Sequence, residues 1–248
     1  MEFLPASISL LEAGVLIASA GFTSLLTAAV GIGGGVLLLA IMAGIVPVAA
    51  LIPVHGLVQL GSNGNRAWMT RQHIDHALLR RFVLGALLGA LLASLLVVQL
   101  PLQIIQFSVA AFILYLVWGP KPARHSLSAR GQLLAGAFTT LVSMFVGATG
   151  PLVAGFIHRH GMDKLATTAT FAACMSAQHL LKMTVFSVVG FAFSEWLVLV
   201  VLMLLAGTLG SWLGLKLLDR LPAARFAQIF RVLVTLLALR LLWQAAGF

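Results

Sequence analysis

Apolar runs of membrane-spanning length follow one another along almost the whole chain, and the polar connections between them are too short to form a soluble domain. A bilayer core asks for roughly 20 apolar residues per helix. Candidate spans lie near 8–30, 48–59, 76–98 and 102–118, then near 131–146, 165–190, 196–218 and 226–243. The longest polar connections are 63–76 and 119–130. With 61% hydrophobic residues, 8% charged residues and a mean hydropathy of +1.09, the chain lacks the polar surface that a water-soluble domain needs. It reads as an all-α polytopic, multi-pass membrane protein whose outer surface meets the lipid bilayer.

A formal net charge of +9 would suit nucleic acid if it were gathered on one soluble face, but the cations lie between apolar spans and report topology instead. No nucleic-acid partner is expected. The single cysteine, Cys174, sits in an apolar helix, so one chain can form neither a disulfide nor a thiolate cluster. The N-terminus has no positive region and no small-residue cleavage site, and is read as retained. Paired carboxylates, zinc-ligand spacing and a Gly-x-Ser-x-Gly elbow are all missing, so neither an enzyme nor a cofactor is expected.

Two shorter apolar pieces, 36–45 and 152–157, cannot cross alone. Each follows a glycine-rich interruption, Gly31-Ile32-Gly33-Gly34-Gly35 and Gly147-Ala148-Thr149-Gly150-Pro151. Glycine has no Cβ and proline no N–H, so the helix is expected to unwind there, with free amides aimed inward because lipid cannot satisfy them. The two regions align without a gap from break to cation. Val30-Gly31 matches Val146-Gly147, Phe22-Thr23 matches Phe138-Thr139, Gly34 matches Gly150 and Arg66 matches Lys182, always 116 residues apart. Leu100-Pro101 and Leu221-Pro222 match 121 residues apart, after a short insertion. The chain reads as a duplication, with a first membrane repeat over 1–120 and a second over 121–248.

Lys and Arg gather in cytoplasmic loops, which places 66–81, 121–130 and 216–225 inside. An even number of crossings must then join 130 to 216, and 165–190 and 196–218 already supply two. The broken segment 131–160 therefore enters and returns on one side, with His158-Arg159-His160 cytoplasmic. The same logic in the first half puts Met1 and the turn at 44–48 outside. Equivalent elements run in opposite directions, so the expected fold is two inverted-topology repeats, each a broken or re-entrant helix hairpin followed by three transmembrane helices.

A cation at bilayer depth costs a few kcal/mol at least, and such residues usually face a bundle interior or a wet path. Arg66 and Lys182 are therefore the leading candidates to meet a small anionic solute. Residues four apart share a helical face, so His55, Gln59 and Asn63 form one polar stripe that Arg66 continues. The other reading of Arg66 is that it opens the cytoplasmic loop and snorkels to phosphates. In the second half Met175, His179 and Lys182 share a face, with Gln178 four residues before Lys182. His179 can donate to a bound oxyanion, couple transport to protons, or bond a neighbouring helix carbonyl; a structural role is equally open to His55. Gly33, Gly34 and Gly150 offer main-chain amides and Thr149 a hydroxyl, devices by which discontinuous helices hold anionic groups, although helix packing alone also uses glycine. Gly85 with Gly89, and Gly210 with Gly214, have the small-xxx-small spacing of close helix packing, within the chain or between two copies in a homodimer. Glu12 is read as interfacial rather than as a proton-coupling acid.

The Gly-x-Gly-Gly-Gly break at 31–35, its Gly-Ala-Thr-Gly-Pro counterpart at 147–151 and the later His179-x-x-Lys182 resemble the TauE/SafE family of sulfite and organosulfonate exporters, and length, repeat and the Leu-Pro pairs extend the resemblance over nearly the whole chain. The resemblance implies a secondary carrier of sulfur-containing oxyanions such as sulfite, sulfonates or sulfoacetate in the bacterial inner membrane. The chain departs from the family pattern at Val36-Leu37-Leu38-Leu39, where a proline is usual, and at Pro53-Val54-His55-Gly56, where a Gly-Thr is usual. The expected mechanism is alternating access, with Arg66 and Lys182 converging on the solute near a pseudo-twofold axis. The competing reading is a passive anion channel with the same cations as a selectivity ring.

Overall fold

The computed structural model of the chain describes residues 4–30, 33–96, 102–119, 127–217 and, beyond these, Val232, Thr235, Leu236, Ala238, Leu239, Leu242, Trp243 and Ala246. The expected span 226–243 therefore lies mostly outside the described residues, as do Gly31, Ile32 and both Leu-Pro pairs. All regular structure among the described residues is helical: α1 (Leu10–Val30), α2 (Gly34–Met42), α3 (Val48–Met69), α4 (His76–Leu96), α5 (Leu102–Trp118), α6 (Ala129–Val146), α7 (Gly150–Ile157), α8 (Lys164–Val188) and α9 (Leu197–Lys216). Among the described residues four stretches are long and apolar enough to cross a membrane, Leu10–Val30, His76–Leu95, Ala129–Val146 and Phe193–Lys216.

Helix starts follow local chemistry. Ser9 and Glu12 form a reciprocal capping box on α1, the Glu12 carboxylate accepting from the Ser9 amide at 2.8 Å while Ser9 Oγ accepts from the Glu12 amide at 3.3 Å. Glu12 is thus a helix cap at an exposed end. Asp75 caps α4 and Asp163 caps α8, each accepting from first-turn amides. The interruptions fall where the glycines are: Gly33 has φ 102° and Gly147 φ 82°, conformations that L side chains rarely adopt. α2 and α7 correspond to the two short apolar pieces. α3 outruns its expected span, continuing through Asn63 and Arg66 to Met69. Its second half is polar enough to end a hydropathy run, yet the helix persists because those groups are buried against protein.

Elements are sorted by what they must shed. α3 and α8 lie innermost and pack against each other. A Cβ on Gly56 would meet Lys182 and Met183, whereas one on Gly64 would lie nearest Ser176, so the two helices run antiparallel. α1 packs along α9, and α6 along α4. Their outer faces carry Leu10, Leu11 and Phe22, Leu88, Leu91 and Leu95, Leu134 and Phe138, and Leu205 and Leu209, all exposed. Polar side chains point in and leucines point out, the pattern for helices solvated by hydrocarbon.

The small-xxx-small pairs are occupied within the chain. Gly85 abuts the carbonyl of Leu133 and Gly89 that of Ala137; Gly210 abuts the carbonyl of Gly21 and Gly214 that of Leu25. Both helix pairs are therefore parallel and packed backbone to backbone. A methyl group at Gly89 would collide with the Ala137 carbonyl, so Gly89→Ala is expected to cost about 1–3 kcal/mol and to lower the thermal midpoint in detergent. Gly14, with open space around its Cα, should tolerate alanine unchanged in the same assay.

Candidate functional site

Where α3 crosses α8 beside the two breaks lies a small, partly open cavity of about 20 Å³. That is room for about one water. From α3 it is lined by His55, Gln59 and Asn63, and from α8 by Phe171, Met175 and His179. Gly33 and Gly35 approach from the first break, Ala148, Gly150 and Pro151 from the second, and Thr27 from α1. A larger groove of about 550 Å³ lies between the N-terminal segment, α1 and α9, but its walls are apolar, including Leu4, Ile8, Ile17, Val198 and Leu202, and suit a lipid chain rather than an anion.

The stripe on α3 is wired from Arg66 towards the cavity. Arg66 is 1% exposed; its Nη1 donates to Asn63 Oδ1 at 3.0 Å and its Nη2 to Ser211 Oγ of α9 at 3.4 Å. Asn63 Nδ2 in turn donates to Gln59 Oε1 at 3.1 Å and to the Gln59 carbonyl at 2.8 Å. With Oε1 occupied, the amide nitrogen of Gln59 remains as a donor at the cavity wall. Burial and these partners remove the snorkelling reading of Arg66. The cation is anchored inside the protein, and among the described residues its Nε has no partner.

Lys182, 0% exposed, donates from Nζ to the carbonyl of Gly147 at 2.7 Å. That carbonyl sits where α6 ends, so the ammonium meets both a freed acceptor and the negative end of the helix dipole. Gln178 Nε2 donates to the hydroxyl of Thr149 at the same break, tying α8 to it a second time. His55 Nε2 lies 2.9 Å from the carbonyl oxygen of Gly35, while neither ring nitrogen of His179 has a partner among the described residues. The two imidazoles stand edge to face, 6.3 Å apart between centroids.

Of the expected residues, the cavity brings together His55, Gln59, Asn63, His179, Gly33 and Gly150. Arg66 and Lys182 stand behind its walls, each held by a different element, and Gln178 and Thr149 pair beside the second break. Gly34 lies directly beneath the carbonyl of Thr23 and the hydroxyl of Thr27, where a side chain has no room. Sequence reasoning missed Thr27 and Phe171 in the wall, placed Met175 on the Lys182 face without giving it a role, and missed the buried hydroxyls Ser24 and Ser62, which bond each other at 2.9 Å. A signal was available. Phe171, Met175 and His179 stand 116 residues after His55, Gln59 and Asn63, the spacing that relates Arg66 to Lys182.

A helical, multi-pass membrane protein with buried cations behind a polar cavity at two helix breaks belongs to the class of solute transporters. The chain matches the sulfite exporter TauE/SafE family over residues 16–241, nearly its whole length, and it belongs to that family of transporters. No curated protein and no solved structure matches it.

Asn63→Leu would strip Arg66 of its principal partner and leave a guanidinium buried. A loss of about 1.5–3 kcal/mol is expected, read as a lower thermal midpoint. Cys174, 0% exposed, should resist maleimide in the folded protein and react once it is denatured.

Proposed function

We propose that this chain is a secondary transporter that exports small sulfur-containing oxyanions, such as sulfite, sulfonates or sulfoacetate, across the bacterial inner membrane by alternating access. Its halves, 1–120 and 121–248, act as inverted copies about an axis through the α3–α8 crossing. Gln59, Asn63, His55 and His179, with main-chain groups at Gly33 and Gly150, contact the solute. Arg66 and Lys182 set the positive potential that draws it in, and Gly34, Thr149 and Gln178 hold the breaks in shape.

The observation that carries this reading is the make-up of the cavity wall. His55, Gln59 and Asn63 on one side and Phe171, Met175 and His179 on the other are equivalent positions of the duplicated sequence, on helices that run antiparallel. The flanking contacts support the same axis. Gly89 against Ala137 and Gly210 against Gly21 are one contact made twice, since 89 and 210 are 121 residues apart and 21 and 137 are 116 apart. Inverted repeats with a solute site at broken helices are the architecture of many secondary carriers.

The two walls differ in chemistry, which favours a solute with two ends. The α3 wall offers the Gln59 amide N–H and a basic His55 nitrogen to an oxyanion head, and the α8 wall, besides His179, offers an aromatic ring and a thioether to an organic tail. A cavity that holds about one water admits no oxyanion without rearrangement. That favours a gated carrier over an open channel.

Purified protein in proteoliposomes should give saturable flux and counterflow of sulfite or a sulfonate. Lys182→Met should abolish that flux while the variant still expresses and inserts. Ohmic currents that grow with concentration would overturn the carrier reading in favour of a pore, and normal flux in Lys182→Met would remove the cation from the mechanism.

A further inference from the structure

We propose that each anion occupies this cavity together with one hydrogen, held between an oxygen of the anion and Nδ1 of His55. The inference rests on the carrier reading above. His55 is 0% exposed on α3, and its Nε2 faces the Gly35 carbonyl oxygen at 2.9 Å. A carbonyl can only accept, so Nε2 carries the ring proton. In the neutral imidazole Nδ1 is then a bare lone pair, and among the described residues nothing donates to it although the ring lines the cavity. A buried acceptor is a demand for a donor. Water meets that demand, whereas a fully ionised oxyanion, which itself only accepts, sets lone pair against lone pair.

Among the described residues no side chain donates to Nδ1, and the Gln59 amide nitrogen, the other donor of the α3 wall, is left for the anion. From α8, His179 and Lys182 face His55, but Lys182 is committed to the Gly147 carbonyl and His179 makes no bond to His55. On α3 itself Arg66 is committed to Asn63 and Ser211. α2 and α7 carry no ionisable residue, and Glu12 of α1 is an exposed cap. Tyr115 of α5, Arg130 of α6 and Glu195 ahead of α9 are exposed, and Lys216 of α9 lies over the Trp212 ring. The hydrogen must arrive with the solute or from the solution that delivers it.

Two forms satisfy the geometry and have the same stoichiometry. A weak-acid anion such as sulfite binds as its monoprotonated form, whose O–H donates to Nδ1. A strong-acid anion such as a sulfonate binds beside a protonated His55, whose Nδ1–H donates to the anion. In both, a single proton crosses with each anion, and the charge moved is one unit more positive than that of the bare anion.

The test uses the intact protein in proteoliposomes, with the membrane potential clamped by potassium and valinomycin, a pH-sensitive dye in an alkaline lumen and protein-free liposomes as the blank. Methanesulfonate, which brings no hydrogen of its own, should acidify the lumen as it enters, by one proton per anion. Sulfite should also acidify it, because entry as the bare dianion would take protons up and drive the pH the other way. His55→Gln keeps an N–H for Gly35 and, in its amide oxygen, an acceptor that cannot take up a proton, so it should end the proton movement that accompanies methanesulfonate and lower that flux about tenfold. Methanesulfonate flux without a pH change, or sulfite flux that alkalinises the lumen, would overturn this inference and leave the carrier standing. Absence of any flux above the blank would overturn the carrier itself, and this inference with it.

Discussion

The ammonium of Lys182 on the carbonyl of Gly147 joins the two features on which the interior depends, a break in one helix and a charge on another. In hydrocarbon a peptide group without a partner costs several kcal/mol, so a helix can be interrupted only where something inside the protein receives the freed groups. A buried ammonium has the converse need. Neither is tolerable alone at that depth, and together they settle which way α8 faces and where α6 stops. The first half meets the same constraint with different parts. There Arg66 is held by Asn63 and Ser211, and the break is backed by Thr23 and Thr27 against Gly34.

That constraint explains what is legible in the chain. Apolar runs declare helices in lipid because the alternatives are too costly, and glycine clusters inside them declare breaks, so α1, α4, α6 and α9 and both short helices can be read directly. α3 looks shorter in sequence than it is because hydropathy averages a side chain over all environments. Gln59, Asn63 and Arg66 end the apolar run, so that only their helical spacing marks the continuing helix, and each is buried and bonded along that one face. The hydroxyls of Ser24, Ser62 and Ser211 escape notice for the opposite reason: a lone serine in an apolar run changes the average little. Burial of the two cations follows from their apolar flanks, but no pattern in the chain says which neighbour each will hold.

Positions 116 residues apart need not carry the same chemistry. The backbone demands on both halves are alike, as the repeated contact of Gly89 with Ala137 and Gly210 with Gly21 illustrates, so small residues persist there on both sides. On the carrier reading, side chains that face the cavity answer to the solute instead, and a solute has no two-fold axis. His55 against Phe171 and Gln59 against Met175 are the outcome, with Asn63 against His179 the one pair that stays polar on both sides. A family resemblance carried by glycines and a cation therefore speaks to scaffold and solute class more than to the particular solute.

The same contacts indicate where movement can occur if access alternates. α1 with α9 and α4 with α6 are locked by glycines pressed onto carbonyls of the facing helix, and sliding either pair would drive backbone into backbone. The α3–α8 crossing is looser at its Gly64 end, where a methyl group added to the glycine would come no closer than 3.9 Å to Ser176. It is tighter at its Gly56 end, where Lys182 and Met183 fill the gap. A rocking motion that keeps each outer pair rigid must therefore be absorbed at the crossing and at the breaks. Those are the places where the cavity and both cation anchors lie, so opening the cavity and loosening the hold on Lys182 would be one event.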